Sequence, residues 1–279
     1  SGIRPGGHEN PDGGMKVKNM LLLVDPQNDF CDPAGALFVP GAAGDSRRTA
    51  AMIARASSAL DDLVVTLDCH HVLDVAHPLM WVDRAGEHPL PFTGISLEDL
   101  ENGTWKAVRP EWQYRLQQYV SDLEAFGRYR LTIWPEHCLV GSWGFGLVPC
   151  VFQAVTGWER EHAATAALIL KGENPWTEHY SAVRAEVPDP EDARTAINRA
   201  LLERVLSSDC VAVAGQALSH CVANTVRDLV EPLGGDLSRL VLVRDCTSSV
   251  PGFEALGEAF LEEMAPLGMR LVSSDRFLA

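Results

Sequence analysis

The chain has 279 residues, of which 46% are hydrophobic and 22% are charged, and its formal net charge at pH 7 is −15. This composition is that of an ordinary globular domain. The acidic balance argues against nucleic acid or an anionic membrane surface as a partner. No apolar run approaches the roughly 20 residues that span a bilayer. We therefore expect no nucleic-acid partner and no membrane partner.

The seven cysteines are scattered, and no two of them form a C-x-x-C pair. This pattern favours reduced thiols over a disulfide framework or a four-cysteine zinc site. No segment resembling a secretory signal precedes the first predicted strand. We therefore expect a cytoplasmic protein, in which the Gly- and Pro-rich residues 1–14 form a flexible leader to the folded domain.

Apolar runs alternate with helical patterns along the chain. Such alternation indicates an α/β fold with a doubly wound, mostly parallel central sheet and helices on both faces. The predicted strands are 20–24, 63–67, 130–133, 166–170, 211–215, 239–243 and 269–273. Helices are predicted at 45–60, 111–126, 190–206 and 251–265. One more helix is predicted to end near residue 160 and another to begin at Cys221, and loops are predicted at 29–44 and 134–146.

Residues 72–128 depart from this alternation. They contain four prolines and several tryptophans but one amphipathic helix candidate. We expect them to form an insertion at the rim of the sheet, beside the predicted site, within a single domain spanning 15–279. The insertion either shapes the pocket or serves packing or oligomer contact.

Four predicted strands end at residues that can carry chemistry: Asp25, Asp68, Lys171 and, after a turn, Cys221. In a parallel sheet these carboxyl ends share one edge, where ligands bind. An aspartate, a lysine and a cysteine brought together there predict an activated nucleophile. The carboxylate can take the thiol proton, and the ammonium can stabilise the thiolate.

Cys221 is central to this prediction. It opens a helix after the strand at 211–215, and a helix N-terminus favours negative charge, so we expect a lowered pKa for the thiol. Taken alone, each residue has a simpler interpretation: a buried structural cysteine, a turn-forming Asp25, a solvated Lys171. Their joint placement favours catalysis.

A second set of residues has the character of a metal site. Asp68 and His70 follow one predicted strand, and His137 follows another. One carboxylate and two imidazoles suit a divalent ion of the zinc, iron or manganese kind with coordination positions left open. His71 and His77 are rival ligands on this reasoning.

Five segments of the chain resemble, in order, the nicotinamidase/isochorismatase-like cysteine hydrolases. The resemblance spans about residues 18–245 and is closest to metal-dependent nicotinamidases. The segments are LVDPQNDF at 23–30, DCH at 68–70, WPEHC at 134–138, Lys171-Gly172, and the turn with Cys221.

The resemblance implies roles in catalysis. Asp25, Lys171 and Cys221 match the catalytic triad of the family. Ala217 matches the residue after an unusual cis peptide, here Gln216–Ala217, and its backbone N–H and that of Cys221 would form the oxyanion hole. The implied activity is hydrolysis of a small carboxamide through a thioester, with nicotinamide as the substrate.

The resemblance also implies how the substrate and a metal are held. Asp68, His70 and His137 match the metal ligands of nicotinamidases, and zinc is the expected ion, with iron or manganese as alternatives. Phe30 and Trp134 match aromatic residues on either side of the substrate ring. A small-molecule amide is thus the expected partner, together with a second copy of the chain in a homo-oligomer.

Two departures keep other functions open. Residues 218–220 read Leu-Ser-His where the family usually carries a Thr-Asp-Tyr-like string, and the 72–128 segment is long. A related amidase acting on another amide, ureide or carbamoyl substrate is the alternative. A non-catalytic member that binds a ligand or partner is a lesser one, against which the complete Asp/Lys/Cys set argues.

Overall fold

The computed structural model of the chain describes residues 17–279, and the predicted leader at 1–14 lies outside them. Six parallel strands form the central sheet in the order β10-β9-β8-β1-β2-β7. Their bounds are β1 Asn19–Val24, β2 Asp62–Asp68, β7 Ala167–Lys171, β8 Cys210–Gly215, β9 Leu240–Val243 and β10 Arg270–Val272. Two antiparallel ribbons lie outside this sheet: β3 Trp81–Val82 with β5 Lys106–Ala107, and β4 Gly94–Ile95 with β6 Leu131–Thr132.

Helices surround the sheet. They are α1 Asn28–Cys31, α2 Ala42–Ala56, α3 Leu97–Glu101, α4 Gln113–Phe126, α5 Pro149–His162, α6 Arg199–Leu206, α7 Ala223–Val230 and α8 Glu254–Met264. Within residues 17–279, none of the helices combines the length and the apolar character that crossing a bilayer requires.

The central strands are buried on both faces. Every residue of β1 and β2 is buried, and β8 is buried after Cys210. Parallel strands of this kind are covered by helices on each side of the sheet. The prediction of an α/β fold with a doubly wound, mostly parallel sheet is confirmed.

One predicted strand does not join the central sheet. Of the run at 130–133, only Leu131–Thr132 is a strand, and it pairs antiparallel with Gly94–Ile95. The position beside β2 is taken by β7, so the short run finds its partner in the inserted region instead. The segment that follows it, from Trp134, is therefore carried by a loop and not by a strand of the central sheet.

Two predicted boundaries also differ. The helix expected at 190–206 begins only at Arg199, where the side chain of Asn198 accepts the N–H of Leu201. Before it, Asp192 accepts the N–H of Arg194 in a tight turn, a local bond that competes with helix formation. The loop expected at 29–44 contains α1 and the start of α2.

Residues 72–128 form α3, α4 and three of the four ribbon strands. The hydroxyl of Tyr119 in α4 accepts a hydrogen bond from the N–H of Glu178, at 3.0 Å. Phe92 packs edge-on against Trp134, with 5.8 Å between ring centroids. The region therefore contacts both the segment after β6 and the segment after β7.

Candidate active site

The carboxyl ends of four neighbouring strands converge on the ammonium of Lys171. Its Nζ lies 2.9 Å from Oδ2 of Asp25 and 3.0 Å from Oδ1 of Asp68, and it donates to Sγ of Cys221 at 3.5 Å. The carbonyl of His179 accepts a further bond from Nζ, at 3.1 Å. The structure thus brings together the four strand-end residues that the sequence singled out.

Two carboxylates share this one buried cation. Burial would lower the pKa of Lys171, but Asp25 and Asp68 raise it well above its usual range, so the ammonium stays charged. Burial raises the pKa of Asp25, although Lys171 opposes that shift. Asp25 is therefore the carboxylate that more readily takes a proton.

Thr66 orients Asp25, and sequence reasoning missed it. Its hydroxyl accepts the backbone N–H of Asp25 at 3.0 Å and donates to Oδ1 of the same residue. Thr66 lies on β2, two residues before Asp68, with its side chain fully buried. A threonine inside an otherwise apolar strand run was the only signal in the sequence.

The turn before Cys221 brings the sulfur to the sheet edge. Gly215 adopts a φ of 116°, and a Cβ there would collide with the backbone of Val24 on β1. The Gln216–Ala217 peptide is cis, as predicted. The Gln216 side chain donates to Asp45 at 2.9 Å, and residues 218–222 form one π-helical turn that leads into α7.

The thiol of Cys221 is buried, and burial raises its pKa well above the usual range. Lys171 lowers it, but Asp25 and Asp68 add to the rise. The expected lowering of this pKa is therefore wrong for the free protein, because burial and the two carboxylates outweigh Lys171. Attack by the sulfur requires a base at the moment of reaction.

Asp68, His70 and His137 form one buried cluster whose ligand atoms all lie within 4.8 Å of one another. Oδ2 of Asp68 lies 3.1 Å from Nε2 of His70 and 3.5 Å from Nε2 of His137. Nδ1 of His70 lies 2.9 Å from Asp74, so Nε2 faces the cluster; it has no hydrogen-bond partner among residues 17–279. The orphaned nitrogen and the donor set fit a divalent metal ion.

Neither rival ligand belongs to this cluster. His71 is exposed, and its carbonyl lies 3.0 Å from Nδ1 of His77. His77 is buried, and its Nε2 lies 3.3 Å from Nδ1 of His137, on the far side of that ring from the cluster. Burial lowers the pKa of His77 to about 4, so the ring is neutral. His77 therefore packs behind His137 and lies outside the cluster.

A small pocket opens beside the sulfur, and both predicted aromatic residues line it. Phe30 lies 5.5 Å from the ring of His137, and Trp134 donates to the hydroxyl of Tyr180 at 3.0 Å. The pocket is lined by Phe30, Leu37, Asp68, Trp134, His137, Glu178, Tyr180, Ala217, His220, Cys221 and Val250. Its walls are largely apolar, with the aromatic rings of Phe30, Trp134 and Tyr180 among them.

Sequence reasoning did not identify Glu178, Tyr180 or His220 as pocket residues. His220 stands directly before Cys221, and its ring packs between those of Tyr129, Trp134, Tyr180 and Phe253. Glu178 is buried, and burial raises its pKa to about 8. Its Oε2 makes no hydrogen bond to any residue that the structure describes.

The fold and this site define a class: a doubly wound α/β protein with a cysteine, a lysine and an aspartate at its sheet edge and an Asp/His/His cluster beside them. No protein-family model matches the chain. It is 29% identical to the nicotinamidase of Escherichia coli (strain K12) over 213 residues, 76% of each chain. It is also 29% identical to the nicotinamidase/pyrazinamidase of Mycobacterium tuberculosis over 255 residues, 91% of this chain and 98% of the relative.

Solved structures share the fold. The yeast nicotinamidase Pnc1p bound to nicotinaldehyde superposes with a TM-score of 0.64 at 20% identity, over 91% of this chain and 99% of that one. Pyrazinamidase of Pyrococcus horikoshii in complex with zinc has a TM-score of 0.55 at 19% identity, over 92% and 99%. The chain is thus similar in sequence to two nicotinamidases and shares the fold of solved nicotinamidase and pyrazinamidase structures.

Proposed function

We propose that the protein is an amidohydrolase that converts nicotinamide to nicotinate and ammonia. The observation that carries the proposal is the placement of Lys171, 2.9 Å from Asp25 and 3.5 Å from the sulfur of Cys221. A base, a cation and a nucleophile thus meet beside an aromatic-walled pocket. The two relatives at 29% identity, both named as nicotinamidases, support the choice of substrate.

In the first half of the reaction, Cys221 attacks the carboxamide carbon. A bond forms between sulfur and carbon while the thiol proton passes to Asp25, whose raised pKa suits it to hold that proton. The carbonyl oxygen takes up negative charge and is met by the backbone N–H groups of Ala217 and Cys221. Lys171 remains charged and stabilises the anions around it.

Asp25 then returns the proton to the amide nitrogen, and the C–N bond breaks to release ammonia. A thioester between the acyl group and Cys221 remains. Water attacks its carbonyl carbon, Asp25 accepts the proton of that water, and the proton returns to the sulfur as the C–S bond breaks. The product is the carboxylic acid, which loses its proton to the released ammonia or to water to give the carboxylate and ammonium, and the three side chains end as they began.

Asp68, His70 and His137 would hold the metal ion, and we propose zinc, which this set of one carboxylate and two imidazoles suits. When bound, the ion would act as a Lewis acid toward the ring nitrogen of the substrate and so orient the ring. Lys171 already binds Oδ1 of Asp68, so Oδ2 is the oxygen left for the metal. Metal analysis of the purified protein distinguishes zinc from iron or manganese.

The aromatic pocket would hold the ring and exclude water. Phe30 and Trp134 supply flat apolar surfaces, and Tyr180 and His220 complete the wall near the sulfur. Exclusion of water strengthens the interactions of Lys171 with the developing charges. We also propose a cytoplasmic location, in line with cysteines that form no disulfide within residues 17–279, and a homo-oligomeric state.

A related amidase activity is the second candidate, and Glu178 favours it. Its buried Oε2, without a hydrogen bond among the described residues, lies at a pocket that otherwise suits a plain aromatic ring. A substrate with a further polar group, such as a substituted amide or a ureide, would satisfy that oxygen.

Ammonia release from nicotinamide, compared with pyrazinamide, benzamide and a ureide, tests both candidates. The proposal expects the highest kcat/KM for nicotinamide or pyrazinamide, whose rings carry a nitrogen, and little turnover of benzamide. A ureide turned over faster than nicotinamide would favour the second candidate. No ammonia from any of the four by the zinc-loaded protein would refute the proposed reaction.

A further inference from the structure

The run Gln27-Asn28-Asp29 begins two residues after Asp25, yet none of its side chains takes part in the proposed reaction. All three side chains are buried, with at most 7% of each residue exposed. Each of them bonds to the backbone of a segment that surrounds the site. We call this run the polar clamp.

Gln27 extends the hydrogen-bond ladder of the sheet to a metal-ligand residue. Residue pairing between β1 and β2 ends at Leu23 and Val65. Beyond that point, the N–H of Asp68 donates to Oε1 of Gln27 at 2.7 Å, and Nε2 of Gln27 donates to the carbonyl of Asp68 at 2.8 Å. One amide side chain therefore satisfies both backbone groups of Asp68 where the neighbouring strand has ended.

Asp29 likewise accepts hydrogen bonds from backbone N–H groups, one of them in the loop that carries His137. Its Oδ2 accepts the N–H of Cys138 at 2.6 Å, and its Oδ1 accepts the N–H of Ala36 at 2.9 Å. No cation pairs with this carboxylate among residues 17–279. A buried negative charge without a cation is costly unless N–H donors satisfy it, so both donors are needed.

The surrounding loops leave no room for Asp29 to move. A Cβ at Gly144 would collide with its carboxylate, and a Cβ at Gly35 would collide with its backbone carbonyl. The N–H of Asp29 also donates to the carbonyl of Gly144 at 3.1 Å. The glycines therefore let both loops close on one carboxylate.

Asp68 and the loop that carries His137 are thus both hydrogen-bonded to the same buried run of residues. A backbone bridge already joins His70 to the loop, since its N–H donates to the carbonyl of Cys138 at 3.1 Å. We propose that the polar clamp sets the separation of Asp68 from His137, with Gln27 and Asp29 acting as positioning residues. This inference rests on the proposed metal site, because the separation matters only if an ion is held there.

Zinc affinity of Gln27→Met and Asp29→Asn tests the inference. Met has about the volume of Gln but makes none of its bonds, and Asn places an NH₂ group against a backbone N–H. Outer partners of metal ligands typically contribute about 10- to 100-fold in affinity, and we expect a loss of that size from each variant. Asp32→Asn is the matched control. Among the described residues the side chain of Asp32 accepts only the N–H of Ala34, within its own turn, so the zinc affinity of this variant should stay within about 2-fold of the unmodified protein.

A merely structural role would lower the melting temperature and leave zinc affinity at the control value, and that result overturns the inference. Gln27→Met and Asp29→Asn remove different bonds of the clamp, so if one variant fails to fold, the other still tests the inference.

The effect of Asp29→Asn on zinc affinity should shrink to under about 2-fold in a His137→Ala background, while the effect of Gln27→Met persists; simple additivity would contradict the assignment. Zinc titration needs no substrate, so it separates this inference from the choice of amide. Failure of the unmodified protein to bind zinc would refute the metal site and the inference with it.

Discussion

The site has two halves that the fold holds in different ways. Asp68 and Lys171 end adjacent parallel strands and are register partners across β2 and β7, whereas Asp25 directly follows β1 and Cys221 follows β8 after a turn. Trp134 and His137 instead stand on the loop between β6 and α5, outside the central sheet.

The difference shows where side chains must do the positioning. In the strand-end half the hydrogen-bond ladder already places the Cα atoms of Asp68 and Lys171, and side-chain bonds complete what it leaves, such as that from Thr66 to Asp25. The loop half depends on individual polar contacts, such as those from Asp29 to Cys138 and from Tyr180 to Trp134. We therefore expect substitutions in the strand-end half to remove chemistry, and substitutions in the loop half to weaken binding first.

The largest effect is expected from Cys221→Ala. Without the sulfur no thioester can form, so ammonia release should fall by at least about 10⁴-fold. Zinc content, which depends on Asp68, His70 and His137, should stay at the level of the unmodified protein. Ammonia release and metal analysis check both points. Activity close to the original would end the claim that Cys221 is the nucleophile.

Lys171→Met should affect catalysis and folding together. Loss of the cation leaves Asp25 buried without a cation and Asp68 with only the imidazoles beside it, which should lower the free energy of unfolding by about 3 to 5 kcal/mol at neutral pH. The kcat should fall about 10²- to 10³-fold, because the charges of the reaction lose their stabilising partner. Urea unfolding and steady-state kinetics measure the two effects. The exposed Lys106→Met is the control, and a loss no larger than in that variant would argue against Lys171 as the centre of the site.

His137→Ala tests the loop half. The variant should lose more than about 100-fold in zinc affinity, since even outer partners of ligands contribute about 10- to 100-fold. Equilibrium dialysis against zinc measures this, with the exposed His88→Ala as the control. Unchanged occupancy would remove His137 from the ligand set and bring His71 or His77 back into consideration.

Glu186→Gln should change only the pH dependence of stability, since Glu186 bonds to Asn224 outside the pocket. Burial raises the pKa of Glu186 from 4.5 to about 7, so between those values the folded chain keeps a proton that the unfolded chain has released. The stability this contributes is present below pH 4.5 and is lost as pH rises through 7, a change of about 3 kcal/mol.

The Gln variant should lack this decline and be the more stable form at pH 8, with unchanged kcat. Urea midpoints at pH 5.5 and 8 provide the measurement. Equal slopes in both proteins would show that Glu186 titrates normally.

Much of the site could be predicted from strand ends alone. Asp25, Asp68 and Lys171 each follow an apolar run, and in a parallel sheet such positions meet whatever their separation in sequence. The cis peptide at Gln216–Ala217 came from the resemblance to a family, and the structure confirms it. The sequence did not predict the roles of Thr66, Asp74 and Tyr180. Those roles depend on which atoms the side chains contact, and not on where the residues stand in a sequence pattern.

The sequence by itself determined the fold class and the strand-end half of the site, because buried runs and strand order follow from local hydrophobicity and chain direction. Only the tertiary structure decided that residues 131–132 leave the central sheet, that burial raises the pKa of the Cys221 thiol, and that Gln27 and Asp29 bond to the segments carrying Asp68 and His137. Those features depend on solvent exclusion and on contacts between segments distant in sequence, which no local pattern encodes.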